Sequence, residues 1–175
     1  MDANNSELEK KLRRYRSDLA VCGKGYILFG FWSVIKVFLT TYGNMDKINQ
    51  MYGQAEAQGI SKTVQTIAFI VFLLIMLSVI MLVHFWIGLG AICLSRGKKK
   101  SMIYMFMVGF FMLTNLLAIP GYFFNTGQAA ETVNDTSIAA LMVDMTVTFI
   151  LFDIIYCTAK IRKLQKQTKE HSSGI

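Results

Sequence analysis

From Ile67 to Leu94 the chain carries no Asp, Glu, Lys or Arg, and the run stops abruptly at Arg96-Gly97-Lys98-Lys99-Lys100. About 20 apolar residues are enough to cross the hydrocarbon core of a bilayer, so a run of this length is not a soluble core helix. The cationic stop also orients it, because Lys and Arg collect at the cytoplasmic ends of membrane helices. All other segments are placed relative to this one. Composition agrees: 54% hydrophobic against 17% charged residues, with one proline and 13 phenylalanines in 175 residues, is the balance of a membrane protein.

The spacing predicts an all-α fold, a polytopic membrane protein built as a four-transmembrane-helix bundle. Residues 1–5 read as unstructured. Ser6-Glu7-Leu8-Glu9 reads as a capping box that starts a helix at Ser6. Leu8, Leu12, Tyr15 and Leu19 then recur at helical spacing, with Lys10, Lys11, Arg13, Arg14 and Arg16 on the other faces. Residues 1–18 are thus a basic amphipathic segment. It either lies on an anionic membrane surface or extends the first span into solvent. The opening residues are polar and acidic, unlike a secretory signal.

The spans are expected at 19–42, 63–94, 102–124 and 137–158, with a basic cytoplasmic tail over 159–175. Between the first two, Met45, Ile48, Met51 and Tyr52 share a helical face, which predicts a short helix on the outer surface. The second span would measure about 48 Å against a hydrocarbon core of about 30 Å, so it must tilt, project or break. Gly88 and Gly90 offer a place to bend. Pro120-Gly121 should end the third span, with Tyr122, Phe123 and Phe124 as an interfacial anchor. Asn134, Asp135 and Thr136 are candidate caps for the fourth. Residues 170–175 read as frayed. Gly30-Phe31-Trp32 ahead of Lys36 is echoed by Gly109-Phe110-Phe111 ahead of Asn115, a pattern that a duplicated helical hairpin or chance would produce.

Fourteen of the 18 Lys and Arg residues fall in the N-terminal segment, the 96–100 turn and the tail, against two, Lys47 and Lys62, in the remaining loops. This positive-inside bias places both termini and the 96–100 turn in the cytoplasm of a cell-membrane protein. It also accounts for the net charge of +7 without nucleic acid as a partner. Arg13, Arg14, Arg16, Arg96, Lys98, Lys99, Lys100, Arg162 and Lys163 are the expected contacts to anionic lipid headgroups or to a partner's acidic surface. Tyr42, Tyr52 and Tyr122 should sit near the outer surface, and Tyr15, Tyr26, Tyr104 and Tyr156 near the inner one. Cys22, Cys93 and Cys157 lie near the inner ends of their spans, on the reducing side, where they read as packing residues or acylation points rather than as disulfides. Their spacing suits no metal.

A charge at mid-bilayer costs about 3 kcal/mol on insertion scales, so polar residues within the spans need an explanation. They are Lys24, Lys36, His84, Asp144, Asp153 and Asn115. Helical rise puts Lys36 and Asp144 each about 10 Å from the outer boundary, and Lys24 and Asp153 each about 8 Å from the inner one. Lys24 and Lys36 are separated by about 120° around their helix and Asp144 and Asp153 by about 180°, so one flat contact does not serve both pairs. Lys36–Asp144 is the expected pair; Lys24 can snorkel to headgroups, and Asp153 has Lys160 near the interface. The pair is structural, fixing helix register, or it is a titrating or ion-contacting site; the remaining reading is that the side chains snorkel without pairing. His84 lacks a second ligand and reads as a neutral core histidine bonded to one partner. Asn115 reads as interhelical glue.

No P-loop, nucleophile elbow, zinc-protease or paired Cys-x-x-Cys motif occurs. No enzyme activity, cofactor or metal is expected. The leading expectation is a small integral membrane protein acting through helix and lipid contacts, as subunit, assembly factor or regulator of a membrane complex, with a membrane-protein partner or with copies of itself. The alternative is an oligomeric transporter or channel for protons, ions or a small solute that uses Lys36, Asp144 and His84.

If Lys36 and Asp144 pair, Asp144→Ala alone should destabilise the protein more than the double change with Lys36→Ala, with a coupling of about 0.5–3 kcal/mol. Thermal unfolding of the four variants in detergent measures this, and purely additive losses would remove the pair.

Overall fold

The computed structural model describes residues 2–57, 59–98, 102–121 and 135–173. The described residues form five α-helices: α1 (Asp2–Gly43), α2 (Met45–Ala57), α3 (Lys62–Ser95), α4 (Met102–Ala118) and α5 (Asp135–Ser173). Three are long and apolar enough to cross a membrane, over Ser6–Gly43, Lys62–Ser95 and Ile138–Thr168. α4 has 17 residues, about 26 Å of helix at 1.5 Å each.

Several boundaries differ from the expected ones. α1 starts at Asp2, so Ser6 is a helical residue and not a cap. The basic segment is continuous with the apolar run that follows, and no turn separates residue 18 from residue 19. α3 runs unbroken through Gly88 and Gly90. α4 ends at Ala118 rather than near Phe124. Pro120 explains this, because proline disfavours helical conformation in the residue before it and cannot donate a backbone hydrogen bond. α5 carries its cationic stretch as helix to Ser173, through residues expected to fray. The predicted aromatic anchor Tyr122 to Phe124, the Asn134 cap, Lys99 and Lys100 lie outside the described residues.

The chain divides into two compact units, one made of residues 1–29 and 86–175 and the other of residues 30–85. In the first unit α4 packs along α5. The core stripe of α5 is Val147, Leu151, Ile154, Thr158 and Ile161, all buried. These residues alternate steps of four and three, the repeat that keeps a helix's apolar seam against its neighbours. Leu19 and Tyr26 of α1, Ile87, Ala91 and Leu94 of α3, and Tyr104 and Val108 of α4 complete the core.

The glycines expected to bend α3 are instead points of contact. A Cβ at Gly23 would stand 2.8 Å from the Gly88 carbonyl oxygen and 3.0 Å from the Ala91 Cβ. One at Gly88 would stand 2.7 Å from the Gly23 carbonyl oxygen and would collide with Ile27. One at Gly90 would run into the Tyr104 ring, 2.9 Å from its Cζ. Small residues are what lets helix backbones approach this closely in lipid. Tyr104 sits in the space Gly90 leaves. Its hydroxyl donates to the Ile87 carbonyl at 2.8 Å, and its ring lies edge-on to Trp86. Tyr26 and Tyr104 are 1% and 3% exposed, so they are core residues.

α3 closes with a Schellman turn. Gly97 has φ +82°; its amide donates to the Leu94 carbonyl at 3.0 Å and the Lys98 amide donates to the Cys93 carbonyl at 3.2 Å. This satisfies carbonyls that the helix end leaves open, and the left-handed backbone favours glycine.

In the second unit, the predicted short helix is α2. Of its proposed face, Ile48 is buried and Tyr52 meets Phe69 of α3 edge-on, 6.4 Å between ring centres. The Ser61 hydroxyl accepts from the Val64 amide at 3.4 Å, an N-cap for α3. The Gln65 amide nitrogen donates to the Ile60 carbonyl at 2.7 Å and ties down the same turn. The echo between Gly30 and Gly109 is not matched in packing. Gly30 faces His84, whereas Gly109 has no atom within 4 Å of its Cβ position among the described residues.

Gly88→Ala should therefore destabilise the protein by about 1–3 kcal/mol through overpacking, while Gly109→Ala should be neutral or stabilising by up to about 1 kcal/mol through helix propensity. Thermal unfolding in detergent, followed by circular dichroism, compares them directly.

Candidate functional site

Two polar clusters stand out, one in each unit. In residues 30–85, His84 of α3 packs against Gly30 of α1; a Cβ there would stand 2.8 Å from the histidine Cβ and 3.0 Å from Cγ. The Nδ1 of His84 lies 2.8 Å from the Ile80 carbonyl, one turn back. A carbonyl only accepts, so Nδ1 carries a proton. The Ser33 hydroxyl, which can donate or accept, lies 3.4 Å from Nε2. The imidazole is held by two groups where one was expected.

The second cluster is a cleft of about 490 Å³ in the other unit. From α1 come Lys11, Arg14, Tyr15, Asp18 and Cys22. Lys11, Tyr15, Asp18 and Cys22 follow steps of four, three and four, which places them on one helical face. From α5 come Asp153, Tyr156 and Cys157. The two tyrosine rings meet edge-on, 6.2 Å between centres and 69° between planes. The Lys160 ammonium lies 5.4 Å from the centre of the Tyr156 ring, within cation–π range. Lys11 also pairs with Glu7 at 2.7 Å. That hydrogen bond and its charge hold the Glu7 carboxyl below its ordinary range and raise the Lys11 ammonium. Both groups are exposed, so the pair adds little stability.

Asp153 lines the cleft and Lys24 is exposed; among the described residues no ion pair joins them. Lys36 is half-buried in the second unit and Asp144 half-buried in the first. Asn115 donates to the Phe111 carbonyl of its own helix at 2.9 Å. This intrahelical bond replaces the expected interhelical one, because an amide four residues along reaches its own turn's carbonyl without a neighbour. Of the basic residues, Arg13, Arg14, Arg96, Lys98 and Lys163 are exposed and Arg162 is half-buried. Arg16 is not a free headgroup contact. Its guanidinium lies over the Gly97 turn, Nη2 3.3 Å from where a Cβ on Gly97 would be, and its Nε is buried without a hydrogen-bond partner among the described residues. The carbonyl end of a helix attracts such a cation.

Lys11, Tyr15, Asp18 and Tyr156 were not among the candidate residues. The available signal was the four-three-four spacing, which runs on from the apolar face of the N-terminal segment into polar positions. Among the described residues, no group of three or more His, Cys, Asp or Glu is placed to hold a metal ion, the acids and thiols of the cleft included.

The fold and these clusters define an all-helical protein with three helices long and apolar enough to cross a membrane. Comparison with protein families, characterised proteins and solved structures gives no match.

The bonds of His84 predict its protonation. Histidine-selective ¹⁵N NMR in micelles, with His171→Gln to remove the second signal, should show Nδ1 protonated at neutral pH. A ring protonated on Nε2 alone would contradict the geometry.

Proposed function

We propose that this is a small integral protein of the cell membrane that works through the contacts its helices make with lipid and with neighbouring membrane proteins, as a subunit, assembly factor or regulator and not as an enzyme. One observation carries this reading. The most apolar 18-residue stretch of α3 has none of its residues buried within the chain. Ile67, Ile70, Val71, Leu74, Ile75, Val79 and Leu82 all point outward. Water would oppose so large an exposed apolar surface, whereas hydrocarbon or a partner helix accepts it.

In this reading the chain crosses the membrane four times, with α4 as the short crossing and a bilayer thinned around it. Both termini and the Arg96–Lys98 turn face the cytoplasm, and α2 rests on the outer surface. The basic start of α1 stands below the membrane as a continuation of the first span, since the helix does not bend where the apolar run begins. Its exposed cations reach anionic headgroups or an acidic partner. The transport alternative would use Lys36, Asp144 and His84, but the hydrogen bonds of His84 to Ile80 and Ser33 favour a structural role for it.

The topology has a direct check. With the native cysteines replaced, an impermeant maleimide added to intact cells should label a cysteine at Gln54 and leave one at Lys98 unlabelled. Labelling at position 98 would overturn the orientation. Mild detergent extraction of native membranes should yield a species larger than one chain with its detergent, with defined stoichiometry. A lone monomer would remove the subunit reading.

A further inference from the structure

We propose that the cleft between α1 and α5 binds the phosphoethanolamine headgroup of a membrane lipid, selecting a phosphate joined to a primary ammonium over a purely anionic head. The inference rests on the membrane reading above, which sets the cleft at headgroup depth. Asp18 immediately precedes the expected first span, and Asp153 and Tyr156 lie in the last turns of the fourth.

The lining carries two cations, two carboxylates and two tyrosine rings. A cleft built for an anionic lipid has no use for Asp18 and Asp153, which would repel the phosphate. A headgroup of both signs uses all of them. Arg14 offers a planar fork that matches phosphate oxygens. Lys11 adds a second cation while its pairing with Glu7 at 2.7 Å holds it at the rim. A primary ammonium has three donors, and the carboxylates of Asp18 and Asp153 are its acceptors. The tyrosines favour the same end. Lys160 lies 5.4 Å from the centre of the Tyr156 ring, so one aromatic face is already taken by a cation and the ligand's ammonium is left to the carboxylates. That occupied face also leaves no full aromatic cage, which argues for a hydrogen-bonding ammonium over a quaternary one. A volume of about 490 Å³ falls within the roughly 300–1,000 Å³ typical of small-ligand clefts. Cys22 and Cys157 form the less polar part of the lining, beside which acyl chains would leave.

The test uses the full chain extracted in detergent and delipidated, offered equal amounts of dioleoyl phosphatidylethanolamine, phosphatidylglycerol and phosphatidylcholine, with retained lipid read by native mass spectrometry. The wild type should retain phosphatidylethanolamine about tenfold over either competitor, the effect of one charge-assisted hydrogen bond. Arg14→Gln should lose about tenfold of that binding. Asp18→Asn with Asp153→Asn should reverse the preference toward phosphatidylglycerol. These positions are exposed, and circular dichroism confirms that each variant keeps its helices. A wild type that prefers phosphatidylglycerol, or a preference unmoved in the acid variant, overturns the proposal. Soluble glycerophosphoethanolamine is the last arm. Displacement of the lipid by it supports headgroup recognition, whereas its binding without any retained lipid overturns the lipid as the source. A chain that needs no detergent to stay in solution would instead sink the membrane reading itself, a separate result.

Discussion

Hydrocarbon offers no partner to a peptide N–H or C=O, and each such group left unpaired in it costs several kcal/mol. In a chain whose longest segments are charge-free or nearly so, this constraint comes before any contact between side chains. It explains why the apolar runs of α1, α3 and α5 are unbroken helix, and why α3 continues through two glycines that would weaken a helix in water. It also explains why a helix can turn so many large apolar side chains outward. In oil that surface carries no penalty, so the core can be small.

The same solvent removes the usual reason for helices to associate, because lipid tails are as apolar as leucine. Contact then depends on close approach and on a few polar bonds. Gly23 against Gly88, Gly90 against the Tyr104 ring, and Gly30 against His84 are the places where a missing Cβ lets two helices meet. The hydroxyl of Tyr104 on the Ile87 carbonyl and the imidazole of His84 on the Ile80 carbonyl are the polar counterparts. Each satisfies a buried polar group while adding packing area.

At the basic end the requirements change, since in the proposed reading water and headgroups return there. There α1 and α5 open into a cleft that carries both signs of charge, and Arg16 turns aside from solvent to cover the carbonyl end of α3. Cationic residues that look equivalent along the chain are thus divided. Some remain free at the surface, Arg16 closes a helix end, and Lys11 and Arg14 join Asp18 and Asp153 around one space.

Much of this could be read from residue order alone. The all-helical class and the long apolar helices followed from transfer free energies, which belong to each segment by itself. The helix containing Ile48 followed from the spacing of its apolar residues, and the end of α4 from the one proline. What the order of residues could not decide was rotation. Whether Gly88 and Gly90 bend a helix or admit a neighbour depends on which way they face. So does the fate of Tyr26 and Tyr104, whose depth suggested an interface and whose direction put them in the core. The starting point of α1 and the helical end of α5 depart from the capping and fraying signals because those signals are local, and an already formed helix extends through them. The cleft was invisible for a related reason. Asp18 and Asp153 are far apart in the chain and unremarkable singly, and only the packing of α1 against α5 brings their charges to one place.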